Sequence, residues 1–201
     1  MGFGILLFGY MTMLGFFPDL FIYINRFAIF IAIGGSLLIF AAFFKLGGYN
    51  IYFKIMKYIA VLYTLILIGF TPFLWLVEPS DEAMLEFLYI SRIIRILFLF
   101  MFHYIMLSGI CALAKDVDNQ KVYRGARFNI YFTYVYFGFT ILGVFELGAY
   151  YIIIALLMSL IYYVRVLACI YKCFVWITYE GHDEERERKQ EEKEQAKKNK
   201  K

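Results

Sequence analysis

The stretch from Phe87 to Ala114, FLYISRIIRILFLFMFHYIMLSGICALA, decides the fold class of this chain. It contains no acid and no proline, and a helix of this length would be about 40 Å long at 1.5 Å per residue. The hydrocarbon core of a bilayer is about 30 Å thick, so a single helix from this stretch can cross it. We therefore predict a transmembrane helix here.

The whole chain has the composition of a membrane protein. Of its 201 residues 63% are apolar and 21% aromatic, and the mean hydropathy is +0.69, well above soluble domains. We predict an all-α, polytopic transmembrane helix bundle with six spans in residues 1–179, followed by a charged cytoplasmic tail at 180–201. The first span is short and stops at Pro18, so a five-span protein with a re-entrant first segment is the alternative. Besides 87–114, the predicted spans are 3–17, 27–44, 58–77, 128–145 and 147–177.

The positive charges predict the topology. Fifteen of the twenty Lys and Arg residues fall in three stretches, 45–57, 115–127 and 186–201. Bases near span ends stay on the cytoplasmic side, so six spans place all three stretches and both termini in the cytoplasm. No cleavable signal peptide is visible. The abundance of Ile, Phe, Tyr, Lys and Asn is typical of AT-rich bacterial genomes, so the predicted location is a bacterial plasma membrane.

Two cytoplasmic segments resemble each other. Residues 53–58 (FKIMKY) and 123–128 (YRGARF) share the order aromatic, base, two other residues, base, aromatic. We interpret this as a duplicated two-helix unit, as found in transporter cores. The alternative is chance, because aromatic residues are abundant and bases flank membrane helices by default. Downstream, each segment is followed by Gly-Phe-Thr and then by an acid, at 69–71 with Glu78 and at 138–140 with Glu146.

Helix 87–114 contains the main candidate site. Arg92 and His103 are eleven residues apart, which places them about 20° apart around a helix and roughly 16 Å apart along it. Arg95 lies within about 60° of the same line. Charges in an apolar span are expensive, so this stripe predicts a site for a small anionic ligand, with the histidine relaying or sensing protons. The alternative is that both arginines snorkel to the outer head groups while His103 hydrogen-bonds a neighbouring helix.

Four further residues are secondary candidates for a ligand site. Arg26 opposes the usual charge bias at the outer surface, and Pro72 frees a backbone carbonyl within a span. The acids Glu78 and Glu146 lie near the outer ends of the two repeated units. The other bases and the thiols of helix six have simpler interpretations: snorkelling for Arg165 and Lys172, and packing for Cys169 and Cys173, with metal binding or palmitoylation as the alternative for the thiols.

Enzyme signatures are missing from the chain. There is no G-x-S-x-G, H-E-x-x-H, Walker A or C-x-x-C motif, so we expect no enzyme, no catalytic residue, no cofactor and no metal. In size and span number the chain is similar to the substrate-binding subunits of energy-coupling vitamin importers. That resemblance rests on size and span number alone, so it identifies no functional residue in this chain.

The functional hypothesis is a small transporter, or transporter subunit, that binds a small anionic or amphipathic molecule in the outer half of the bundle. The alternative is a non-transporting membrane scaffold or accessory subunit that works through helix faces and the charged tail. The expected partners are the lipid bilayer, the anionic ligand, a protein bound by the tail or helix faces, and further copies in an oligomer. No sequence-specific nucleic-acid binding is expected.

Overall fold

A computed structural model describes residues 2–13, 28–76, 82–142 and 149–177, and these residues form six α-helices and no strand. The predicted all-helical class is confirmed. Arg26, Glu78, Glu146 and the tail at 180–201 lie outside the described residues. The helices are α1 (Gly2–Met13), α2 (Ala28–Leu46), α3 (Ile51–Leu76), α4 (Glu82–Asp116), α5 (Gln120–Leu142) and α6 (Ala149–Ile177).

Four segments of the described chain are long and apolar enough to cross a membrane: Ile29–Leu46, Ile51–Gly69, Ile96–Asp116 and Ile153–Ile177. They mark the chain as a multi-pass membrane protein. The apolar segment Gly2–Thr12 of α1 is shorter, and α5 is not among the four because bases, tyrosines and Asn129 interrupt its apolar residues. The count of six spans therefore stays a prediction.

Two asparagines start α3 and α5 earlier than the apolar stretches alone predict. The side-chain oxygen of Asn50 accepts the Phe53 N–H at 3.0 Å, and that of Asn119 accepts the Val122 N–H at 3.2 Å. This is N-capping, which satisfies free amide groups at a helix start. Much of the two basic stretches is consequently helical, and the connecting turns are only a few residues long.

The helices form a ring of neighbours. Each described helix packs against the next one along the chain, and α6 returns to pack against α1. A Cβ added at Gly2 would lie 2.6 Å from the Leu46 side chain, and one at Gly4 would lie 3.2 Å from Phe174. The start of α1 and the ends of α2 and α6 therefore lie together, at one end of the bundle. We call this the basic end, because the turns after α2 and α4, flanked by Lys and Arg, also lie there.

Helices α3 and α5 share a bonding pattern at a spacing of 69 residues. A buried threonine in each donates to the carbonyl four residues earlier and also bonds a hydroxyl on an adjacent helix. A second threonine in each repeats the intrahelical bond. The pattern fits a duplicated unit, which stays a prediction. The equivalent pairs are Asn50 and Asn119, Thr64 and Thr133, and Thr71 and Thr140.

Candidate functional site

His103 lies on α4 and joins it to α1. Its Nδ1 is 2.7 Å from the Leu99 carbonyl oxygen, and its Nε2 is 2.8 Å from the Tyr10 hydroxyl. A carbonyl oxygen only accepts, so Nδ1 carries the proton and Nε2 of the neutral imidazole accepts from the tyrosine O–H. Only 1% of His103 is exposed. This is the hydrogen bond to a neighbouring helix that the sequence analysis gave as the alternative for His103. A role of His103 in ligand or proton binding stays a prediction.

Aromatic rings enclose the imidazole. Five ring centroids lie between 5.2 and 6.2 Å from that of His103, and they come from α1, α4, α5 and α6. The only acids with described side chains, Asp116 and Asp118, lie at the basic end. The cluster therefore has no charged partner for the histidine among the described side chains. We call His103 with Tyr10, Phe102, Phe137, Tyr162 and Tyr163 the aromatic plug.

Arg92 and Arg95 lie on α4, on the far side of the plug from the basic end. The helix is continuous from Glu82 to Asp116, so Arg95 lies about 12 Å and Arg92 about 16 Å from His103 along the axis. The predicted spacing along one helix is therefore present in the backbone. Both arginine side chains lie outside the described residues.

Pro72 is an exposed residue of α3, and the helix continues past it to Leu76. The proline cannot donate a backbone hydrogen bond within the helix. One residue earlier, the Thr71 hydroxyl donates to the Leu67 carbonyl at 3.0 Å. Nothing in this geometry brings Pro72 to His103.

Within the described helices, three hydroxyl pairs that the sequence did not predict join adjacent helices. Thr133 and Tyr162 are 2.9 Å apart, and both are buried. Hydroxyls in apolar surroundings need a partner, so these pairs help to fix which helix faces meet. The other two pairs are Thr64 with Ser36 at 3.0 Å and Tyr136 with Ser159 at 3.1 Å.

Replacing Thr133 by valine is expected to destabilise the protein by about 1 kcal/mol, because it leaves the buried Tyr162 hydroxyl without its partner. Thr140→Val is the matched control, since among the described residues that threonine bonds within its own helix. Unfolding in detergent followed by circular dichroism measures both. Equal losses in the two variants would show that the interhelical bond contributes nothing.

Arg165 is tied to α5. Its Nε donates to the Asn129 side-chain oxygen at 3.3 Å, and the Asn129 amide donates to the Arg165 carbonyl at 3.3 Å. The guanidinium also lies 4.4 Å from the centroid of the Phe128 ring, at cation–π distance. The snorkelling interpretation did not include this partner, because Asn129 is 36 residues away in sequence.

The three cysteines are free thiols in the described helices. Cys169 and Cys173 are buried on α6, whereas Cys111 on α4 is half-buried with its sulfur 4.0 Å from the Tyr123 carbonyl. In the part of the chain that the structure describes, no group of three or more His, Cys, Asp or Glu residues is placed to hold a metal ion. Packing of Cys169 and Cys173, and palmitoylation as its alternative, stay predictions.

Neither a protein-family model, nor a curated protein, nor a solved structure matches the chain.

Proposed function

We propose that the protein is a small membrane carrier, or the binding subunit of one, that takes up a small anionic or amphipathic molecule in the outer half of a six-span bundle. The observation that carries the proposal is the position of Arg92 and Arg95. The two residues are three positions apart on α4. The buried aromatic plug lies between them and the basic end.

The proposed orientation follows from the charges at the basic end. Bases near span ends favour the cytoplasmic side, so the basic end faces the cytoplasm of a bacterial cell. Both described chain ends, Gly2 and Ile177, lie there, which supports cytoplasmic termini. Helices α1 and α5 supply the fifth and sixth spans, because each is packed between two helices that could cross the membrane. The described bases at this end are Lys45, Lys54, Lys57, Lys115, Lys121, Arg124, Arg127 and Lys172.

Duplication of the pair α2–α3 as α4–α5 accounts for the shared caps and threonine bonds. In a duplicated bundle the two copies diverge where function requires it. His103 has no counterpart in the first copy, since the residue 69 positions earlier is Gly34. The second copy is therefore the one with the proposed site.

The chemistry of the site follows from its residue types. Two guanidinium groups match the oxygens of a carboxylate or phosphate, and arginine retains its charge at any physiological pH. The aromatic plug below them separates the outer half from the basic end, as a carrier requires in its closed state. Opening toward the cytoplasm would break the hydrogen bond between Tyr10 and His103.

Native mass spectrometry of the purified protein tests the proposal. We expect a small molecule to be retained by the wild type, and its occupancy to fall at least tenfold in Arg92→Ala/Arg95→Ala. Lys54→Ala/Lys57→Ala is the matched control, because it removes two bases at the same spacing from the basic end. If folded Arg92→Ala/Arg95→Ala retained as much of the small molecule as the wild type, the proposal would be overturned. A wild type that carries no small molecule and copurifies with a protein partner would favour the scaffold alternative.

A further inference from the structure

The outward face of α5 differs in chemistry from that of α3. Both helices expose side chains at the same positions, 69 residues apart, which are 55, 58, 62 and 65 in α3 and 124, 127, 131 and 134 in α5. In α3 three of these four are the aliphatic residues Ile55, Leu62 and Leu65. In α5 all four carry polar groups, whereas the bases of α3, Lys54 and Lys57, lie one position away from this line. We call Arg124, Arg127, Tyr131 and Tyr134 the arginine–tyrosine stripe.

The stripe is a compact surface. At 100° per residue its four members fall within an arc of about 80° and cover about 15 Å of helix length, starting near the basic end. Helix α4 borders it, since the Tyr134 ring centroid is 5.9 Å from that of Tyr104 and 5.6 Å from that of Phe100. Bases in the first turns of a span are expected to extend toward water. The exposed Tyr131 and Tyr134 continue the polar groups further along the helix, where α3 has Leu62 and Leu65, and these need an explanation.

The side chains of the stripe have close neighbours. The Arg127 side chain lies beside the hydroxyls of Tyr131 and Tyr123, and the Tyr134 ring packs against Tyr104. Each guanidinium has five N–H donors, so tyrosines cannot occupy all of them. The acid nearest in sequence, Asp118, lies in the turn before α5 and accepts from Gln120 at 3.3 Å. Among the described side chains, whose only acids are Asp116 and Asp118, no carboxylate pairs with Arg124 or Arg127.

We propose that the stripe binds the phosphate head group of an anionic phospholipid in the leaflet at the basic end. The two arginines would hold the phosphate oxygens, and the acyl chains would lie along Tyr131, Tyr134 and the Phe100 ring. Charge complementarity selects this occupant over a second copy of the chain, because two facing stripes would bring four arginines together. Phosphate binding at the stripe does not depend on a ligand in the outer half of the bundle.

Titration of phosphatidylglycerol into detergent-solubilised protein, read by native mass spectrometry, tests this site. We expect Arg124→Ala/Arg127→Ala to weaken phosphatidylglycerol binding about tenfold and phosphatidylcholine binding by a smaller factor, because choline offsets the charge of its phosphate. The matched control is Lys54→Ala/Lys57→Ala, which removes the two bases at the start of α3, where Lys57 lies over the Phe44 and Tyr58 rings. We expect this control to change phosphatidylglycerol binding less than twofold.

Conservative variants separate recognition from folding. Arg124→Lys/Arg127→Lys keeps the charge but loses the planar fork, so a three- to fivefold loss supports a built phosphate site. Tyr131→Leu/Tyr134→Leu restores the residue type of α3 and is expected to weaken binding severalfold by freeing the Arg127 side chain. If Arg124→Ala/Arg127→Ala and Lys54→Ala/Lys57→Ala weakened phosphatidylglycerol binding equally, the proposal would be overturned. So would displacement of the lipid by millimolar inorganic phosphate, or occupation of the stripe by a copurified protein.

Discussion

Replacing Gly9 by leucine is expected to lower the free energy of unfolding by about 3 kcal/mol and to separate α1 from α2. A Cβ at Gly9 would lie 3.0 Å from the backbone nitrogen of Ile39 and 3.0 Å from the Leu38 Cβ. The backbone of α2 cannot move aside as a flexible side chain would, so the two helices must part. Close approach of this kind is how small residues fix helix pairs in membranes.

Gly34→Leu is the matched control for this effect. Gly34 lies on α2, and nothing is within 4 Å of a Cβ added there. We expect a change below about 0.5 kcal/mol, as for most surface substitutions. Denaturation by sodium dodecyl sulfate, followed by circular dichroism, measures both variants. If Gly9→Leu and Gly34→Leu unfolded at the same detergent fraction, the close packing of α1 on α2 would be wrong.

The second large effect is expected at His103. His103→Ala removes a buried ring from the centre of the aromatic plug, and deletions of large buried side chains cost about 3 kcal/mol. The Tyr10 hydroxyl also loses its acceptor and is left in an apolar site. His182→Ala, which changes the second histidine of the chain, is the control and is expected to leave the unfolding curve unchanged.

A double-mutant cycle isolates the hydrogen bond from the cavity. Tyr10→Phe alone is expected to cost about 1 kcal/mol, within the range found for interhelical bonds in membrane proteins. Once His103 is alanine, Tyr10→Phe should cost much less, because the hydroxyl then has no partner to lose. Purely additive losses would mean that the hydrogen bond between α1 and α4 does not stabilise the protein.

The helices could be predicted from the sequence because crossing a hydrocarbon layer demands long apolar stretches. Their starts were harder to predict. Lys54 and Arg124 fall outside the predicted spans 58–77 and 128–145, yet both lie on helices, since long basic side chains can extend toward water from the first turns. Asn50 and Asn119 were the missed signals, because asparagine is among the residues preferred at a helix N-cap.

The candidate site was only partly accessible to sequence reasoning. Helical spacing relates Arg92, Arg95 and His103 because they share one helix. The partner of His103 is Tyr10, which is 93 residues away, and no spacing rule connects them. The same holds for Asn129 and Arg165, whose pairing depends on how α5 and α6 pack. Contacts between helices depend on how whole helix faces pack, so spacing rules applied to one sequence do not predict them.

The most direct test of the proposed function is an electron cryomicroscopy map of the wild-type protein purified in a mild detergent with its copurified molecules retained. The account predicts density for a small molecule beside the outer half of α4, in contact with the Arg92 and Arg95 guanidinium groups and above His103. A map in which both guanidinium groups pair only with acids of the chain or with lipid head groups, with no density between them and the aromatic plug, would contradict it.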